Sequence, residues 1–317
     1  MKPSALRAQT RLPIIGAPMF LVSGPDLVAA QCSAGIIGTF PSLNARPQEQ
    51  LHDWINRIED RLAASPRADP RARVATYGVN LIVHPSNARW QGDLAICAER
   101  RVPLVITSLH PPEAVVRAVH AYGGQVYHKS TTGGPAPRAR EAGSAGLILV
   151  SAGAGGHAGR LNPIALVNEI RAFYAGPLAL SGCISHGKDI LAAQALGCDF
   201  AYMGTRFIAT RESLANDAYR EMILRAQAAD VTYTPYFSGV PANYLSESIR
   251  AVGLDPARLP DHHVPPPNLD KNTRPKAWKD VWSAGQGVGA AQEVLAVHEL
   301  VNLLEAEYQA ARQALLR

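Results

Sequence analysis

A chain of 317 residues with 47% hydrophobic and 18% charged content can bury a large core and has the balance of an ordinary globular enzyme, which excludes a disordered or low-complexity protein. The formal net charge of +5 is modest, and the arginines of Asp60–Arg73 read as a solvated helix end and loop, so no nucleic-acid partner is expected. No apolar run of about eighteen residues suggests a membrane span. The opening MKPSALRAQTRLPI lacks a signal-peptide core, and Cys32, Cys97, Cys183 and Cys198 are scattered without disulfide-like spacing, so the expected location is the cytoplasm.

Taken in chain order, strand-like apolar runs fall at Leu12–Met19, Ile36–Pro41, Thr76–Val83 and Pro103–Ser108. They continue at Gln125–Lys129, Gly146–Ser151, Pro177–Ser181 and Phe200–Met203, with helical segments such as PEAVVRAVHAYG, NPIALVNEIRAFY and KDILAAQALGCD between them. Eight βα units in roughly the first 210 residues predict a (β/α)8 TIM barrel over residues 1–211. A doubly wound open sheet is the alternative. It needs a glycine-rich phosphate turn in its first unit, and IIGAPMFLVSGP holds no GxGxxG.

Gly182 and Gly204 stand where the seventh and eighth strands stop. Glycine there lets backbone NH groups approach an anion closely, and in a barrel these two loops commonly form a phosphate site at the catalytic face. The run SAGAGGHAGR follows the sixth strand. It places His157 among small residues where loop side chains point into a barrel's active site, and imidazole suits proton transfer near neutrality. The bland reading of His157 is a loop cap.

Beyond the barrel, Glu212–Ala228 reads as a helix, and VTYTPYFSGVPANYL and LPDHHVPPPNLDKNTRPK have lid composition, giving an excursion over 212–280 that forms a lid or small second domain. The segment 281–317 carries Val294, Leu295, Val297, Leu300, Leu303 and Leu304 at helical spacing and is expected to pack back on the barrel. That helical end either mediates a homodimer or merely closes the barrel. His110, His120 and His186 occur singly, and His262 with His263 has no partner at ligand spacing, so no metal site is expected. No GxSxG elbow is present, and Cys183 reads as a small residue supplying a backbone NH rather than as a nucleophile.

As a set and in order, LPIIGAPMF, YGVNLIV, AGAGGHAG, SGCIS, MGTRF and SAGQGVG resemble the nitronate monooxygenase family, formerly the 2-nitropropane dioxygenases, from about residue 11 to 305. The resemblance implies an FMN-binding TIM barrel. By position, Ala17, Pro18 and Met19 would line the flavin through their backbone, Asn80 would bond its ring edge, and Lys129 would approach its polar side. Ser181, Gly182, Cys183, Gly204 and Thr205 would hold the phosphate, with Gly153 also at the cofactor. Lys129 could instead be a snorkelling surface lysine, and Asn80 could pair only with backbone groups. Tyr233, Tyr236, Asn243, Tyr244, Ser283 and Gln286 are substrate-pocket candidates, though each tyrosine could equally be a packed aromatic. The chain departs from the family pattern at Cys183, where a second glycine is common, and at Ala154, where a glutamate often precedes AGGH. Val150 or Ser151 stands where some relatives carry an aspartate.

The implied reaction begins with an alkyl nitronate, or a nitroalkane deprotonated in place, lying against the flavin. His157 removes the α proton or orients the anion, O2 is reduced, and an aldehyde or ketone leaves with nitrite. The partners are thus a small-molecule substrate and O2. The alternative is an NAD(P)H-dependent flavin reductase of quinones or enoyl thioesters. A third reading, a barrel that senses or carries a phosphorylated metabolite, gives no role to His157.

Overall fold

A computed structural model describes residues 3–64, 73–109, 113–132, 134–262 and 275–316. His110, His263, most of the proline-rich stretch after Leu259 and the arginines between 65 and 72 therefore lie outside the described residues.

The strands are β1 (Ile14–Gly16), β2 (Gly38–Pro41), β3 (Tyr77–Val83), β4 (Leu104–Leu109), β5 (Gln125–Ser130), β6 (Gly146–Val150), β7 (Gly156–His157), β8 (Leu178–Ser181), β9 (Phe200–Met203), β10 (Val231–Thr234) and β11 (Ala242–Leu245). Eight of them form one parallel sheet in the order β1-β9-β8-β6-β5-β4-β3-β2. The ring closes through a parallel bridge between Ile15 and Ile37, where the Gly16 NH donates to the Ile37 carbonyl at 2.7 Å and the Ile37 NH to the Ile14 carbonyl at 3.1 Å. This is the expected (β/α)8 barrel. Its seventh and eighth strands are β8 and β9, which end at Ser181 and Met203, immediately before Gly182 and Gly204.

Alternation along the strands separates two cores. Inward residues Ile15, Ile37, Leu104, Ile106, Tyr127, Ile148, Ala179, Phe200 and Tyr202 fill the barrel. Outward residues such as Val79, Leu81, Val105 and Val126 meet the surrounding helices. The last long helix, Val297–Ala314, buries Val297, Leu300, Val301 and Leu304. Each such side chain contributes about 1.5–3 kcal/mol when fully buried. Val294 and Leu295 precede this helix, and Leu303 is exposed, so its apolar stripe is narrower than the sequence pattern predicts.

Two elements are shorter than expected. The first strand covers only Ile14–Gly16, because the Met19 carbonyl takes up the NH groups of Val22 and Ser23 and turns the chain into a loop that contains Ala17, Pro18 and Met19. The helix after the barrel spans Asp217–Arg225, starting where the Asn216 side chain accepts from the Tyr219 NH at 2.8 Å. Among the described residues no helix is long and apolar enough to cross a membrane.

Candidate active site

The glycine turn after β8 is sterically enforced. Gly182 has φ 133°, and a Cβ there would lie 2.2 Å from Ser151 Oγ and 2.7 Å from the Ala152 carbonyl. Cys183 follows with φ 55°, so two consecutive residues hold positive φ and swing the chain across the strand end. Gly153, at φ 79°, has the same constraint: its missing side chain leaves the space that Cys183 Sγ fills, 2.2 Å from where a Cβ would stand. Ser181 is tied in through its carbonyl, which accepts from the Ser151 NH at 2.9 Å and Ser151 Oγ at 2.7 Å.

The late SAGQG segment crosses these turns. The Gly285 NH donates to Thr205 Oγ1 at 2.9 Å, the Gln286 NH donates to the Gly153 carbonyl at 2.9 Å, and Cys183 Sγ lies 3.9 Å from Gln286 Oε1. The Thr205 hydroxyl, accepting from Gly285, keeps its own proton to donate. Gln286 therefore stands against the glycine turns after β6 and β8. Burial, then the charge of Asp189, raises the Cys183 thiol, which keeps it protonated.

Inside the barrel mouth, Asn80 is buried and its Oδ1 accepts from Ser108 Oγ at 3.1 Å. Its Nδ2 has no hydrogen-bond partner among the described residues. Lys129, on the inward face of β5, has no carboxylate partner among them either, and its Nζ lies 5.6 Å from the centre of the Tyr202 ring. Burial lowers its pKa to about 8. It is therefore a mostly protonated, half-buried cation facing the mouth, not a surface lysine.

The histidine loop is more ordered than a loop. Gly156 and His157 form β7, which pairs antiparallel with β11 (Ala242 opposite His157, Asn243 opposite Gly156), and β11 pairs with β10. His157 thus sits on a small second sheet of order β10-β11-β7 supplied mainly by the excursion. Its Nε2 lies 3.3 Å from Ser238 Oγ. The residue is exposed, and the protein packed around it, followed by the Lys129 charge, lowers its pKa to about 4. At neutral pH the imidazole is uncharged.

Three predicted pocket residues are structural supports of this sheet. Asn243 is buried and donates from Nδ2 to the Ala154 carbonyl at 2.6 Å. Ser283 Oγ donates to the Asn243 carbonyl and accepts from the Gly156 NH at 3.1 Å. Tyr244 is fully buried against Phe237. Tyr233 is half-buried, with its hydroxyl on the Ala158 carbonyl at 3.0 Å and Arg160 over its ring, and Tyr236 packs edge-on to Phe237.

Two residues that sequence reasoning missed shape the mouth. Asn44 fixes the loop after β1: its Nδ2 donates to the carbonyls of Met19 and Ser23, both at 2.9 Å, and its Oδ1 accepts from the Leu21 NH at 2.9 Å. Trp278, four residues before Trp282, sets its ring nearly perpendicular to that of His157 with centroids 5.0 Å apart. Neither carries a motif; only the folded contacts reveal them. Among the described residues no group of three or more His, Cys, Asp or Glu side chains could hold a metal ion.

At the barrel mouth, Gly153 and Gly182 leave no room for side chains, the Asn80 Nδ2 and the Lys129 ammonium lie on inward-facing strands, and His157 stands on the adjoining small sheet. A barrel with these features at the C-terminal ends of its strands is a cofactor-dependent enzyme. The comparisons with known proteins agree. The nitronate monooxygenase family pattern matches residues 4–307. The chain is 27% identical to a nitronate monooxygenase from Paraburkholderia phytofirmans, covering 93% of this chain and 92% of that one. It is 29% identical to one from Pseudomonas aeruginosa, covering 92% and 95%. A solved nitroalkane oxidase from Streptomyces ansochromogenes superposes with a TM-score of 0.79 at 27% identity, covering 98% of this chain and 99% of that one. FabK from Thermotoga maritima, at 22% identity and a TM-score of 0.78 over 99% and 98% of the chains, shares the fold. The chain belongs to the nitronate monooxygenase family and is a flavin-dependent oxidoreductase.

Proposed function

We propose that the chain binds FMN and oxidises alkyl nitronates with O2, yielding an aldehyde or ketone and nitrite. The observation that carries this reading is the unpaired Lys129 ammonium in the barrel mouth, close enough to neutral His157 for its charge to lower the imidazole pKa. An anion entering between them gains a cation on one side without meeting a second charge on the other.

Ser181, Gly182, Cys183, Gly204 and Thr205 would hold the FMN phosphate, with Gly153 leaving room for the turn and Gln286 beside it. The loop of Ala17, Pro18 and Met19 would support the ring, Asn80 would donate from Nδ2 to its edge, and Lys129 would face its polar side. Bound there, FMN supplies the electron-transfer and oxygen chemistry.

His157 orients the substrate. A conjugate acid with a pKa near 4 belongs to a weak base, which is poorly matched to pulling a proton from carbon but well suited to holding an already formed nitronate. The excursion over 212–280 acts as the lid that excludes water above it. Tyr233 and Tyr236 stand at its inner rim. Four free thiols fit a cytoplasmic setting.

An anaerobic absorbance titration with ethyl nitronate, followed by NADH and then air, tests the reading. Flavin bands that change with nitronate, ignore NADH and recover in air with nitrite release support it. Bleaching by NADH without a response to nitronate overturns it in favour of a flavin reductase.

A further inference from the structure

Beside His157 lies an apolar surface that the reaction outlined above does not use. The Trp278 ring meets the His157 ring edge-on with centroids 5.0 Å apart, and also meets Phe20 at 6.4 Å and Tyr244 at 6.2 Å. Phe20 belongs to the loop after β1 that Asn44 pins, whereas Trp278 comes from near the other end of the chain. Trp278 therefore lies against His157 and is backed on a further side by Phe20, whose own ring carries the Arg46 guanidinium 5.2 Å from its centroid. Both stay half-buried, leaving part of each ring open.

The backbone is unusual at this point. Trp278 holds φ 63°, a conformation that a bulky side chain rarely adopts, and it is kept there by its NH donating to the Val281 carbonyl at 2.8 Å and by the bridge between Ala277 and Val281. A glycine or asparagine would serve a plain turn at lower cost. The position instead presents a large flat ring to the residue that faces the substrate.

Resting on the nitronate reading, we propose that Trp278, backed by Phe20, is the specificity-determining wall of the substrate pocket, and that the preferred substrates are nitronates bearing an extended apolar or aromatic chain. The anionic head lies between His157 and Lys129, and the chain runs along the indole. Each methylene buried there strengthens binding about fourfold.

Straight-chain carboxylates test this without turnover, because they share the planar two-oxygen anion of a nitronate and do not react. Butanoate through octanoate are titrated against the flavin absorbance of the holoenzyme, in wild type, Trp278→Ala and Trp278→Phe, with kcat/KM for ethyl through hexyl nitronate measured in parallel. The expected result is a wild-type affinity rising about fourfold per methylene, a slope near zero in Trp278→Ala, and an intermediate slope in Trp278→Phe. An unchanged slope in the variants, or a loss equal at every chain length, overturns the proposal. Should Trp278→Ala fail to retain flavin, Trp278→Phe decides alone: a reduced slope supports the wall and a wild-type slope removes it. A Trp278-dependent carboxylate slope without turnover of any nitronate keeps the wall and discards the nitronate reading.

Discussion

The two sides of the barrel mouth are built by different means. One side is made of backbone: Gly153, Gly182 and Cys183 hold positive φ, and added side-chain atoms at the two glycines would collide with neighbours at 2.2 Å. The other presents side chains: His157 is carried by β7 on a second, smaller sheet, and Trp278, from outside that sheet, packs against it. The first arrangement, made of backbone, tolerates little change. The second can exchange one ring for another while the barrel stays as it is. A family built this way can keep its flavin chemistry and alter its substrate by changing the excursion.

The sharpest way to break the comparison is Gly182→Ala. If the turn is as constrained as its geometry says, the variant purifies with little or no flavin absorbance, losing on the order of 100-fold or more in FMN affinity, and flavin content after dialysis measures this. Near-normal flavin content would show that the turn adapts. On the other side, His157→Asn should keep its flavin spectrum while kcat/KM falls by roughly 10²-fold through lost substrate positioning, as steady-state nitrite release would record. Loss of flavin in that variant would mean that the two sides are not separable.

Lys129 joins the two sides and should give an intermediate effect. Lys129→Met is expected to weaken binding of anionic ligands by roughly tenfold. In the wild type, that binding should be strongest while the ammonium is protonated and should fall as pH rises through about 8. The fall should vanish in the variant, and ligand titrations between pH 6 and 10 would follow it.

Least visible at neutral pH is His128, which is buried on the outer face of β5 with Nδ1 2.8 Å from Thr107 Oγ1 and a pKa lowered by burial, then by Lys129, to about 4. Because the folded value lies below the unfolded 6.5, its contribution to stability is complete above pH 6.5 and is lost as pH falls toward 4. The loss is about 3 kcal/mol. Urea melts across that interval should show it in wild type and much less of it in His128→Gln.

The same division explains what could be read in the sequence. The strand ends at Ser181 and Met203 were legible because glycine is a local signal, whereas Lys129 and Asn80 were singled out only by the family resemblance, and the structure places both on inward-facing strand positions. The roles of Asn243, Ser283 and Gln286 were not. Asn243 and Ser283 act through bonds to Ala154 and Gly156, nearly ninety residues or more away in the chain, and Gln286 through its NH on Gly153. Trp278 and Asn44 left no periodic or compositional trace, since their importance lies wholly in what tertiary packing brings beside them. The two-residue strand β7 was hidden for the same reason: its partner, β11, begins at Ala242.

The parallel pairing of β1 with β9 has a consequence for synthesis. Ile14–Gly16 leaves the ribosome early, yet one of its flanking strands, Phe200–Met203, is made far later. At the usual pace of translation the delay is about ten to forty seconds. Throughout that interval an apolar strand has an open flank, so the nascent chain needs protection from aggregation until the eighth barrel strand arrives and the ring can close.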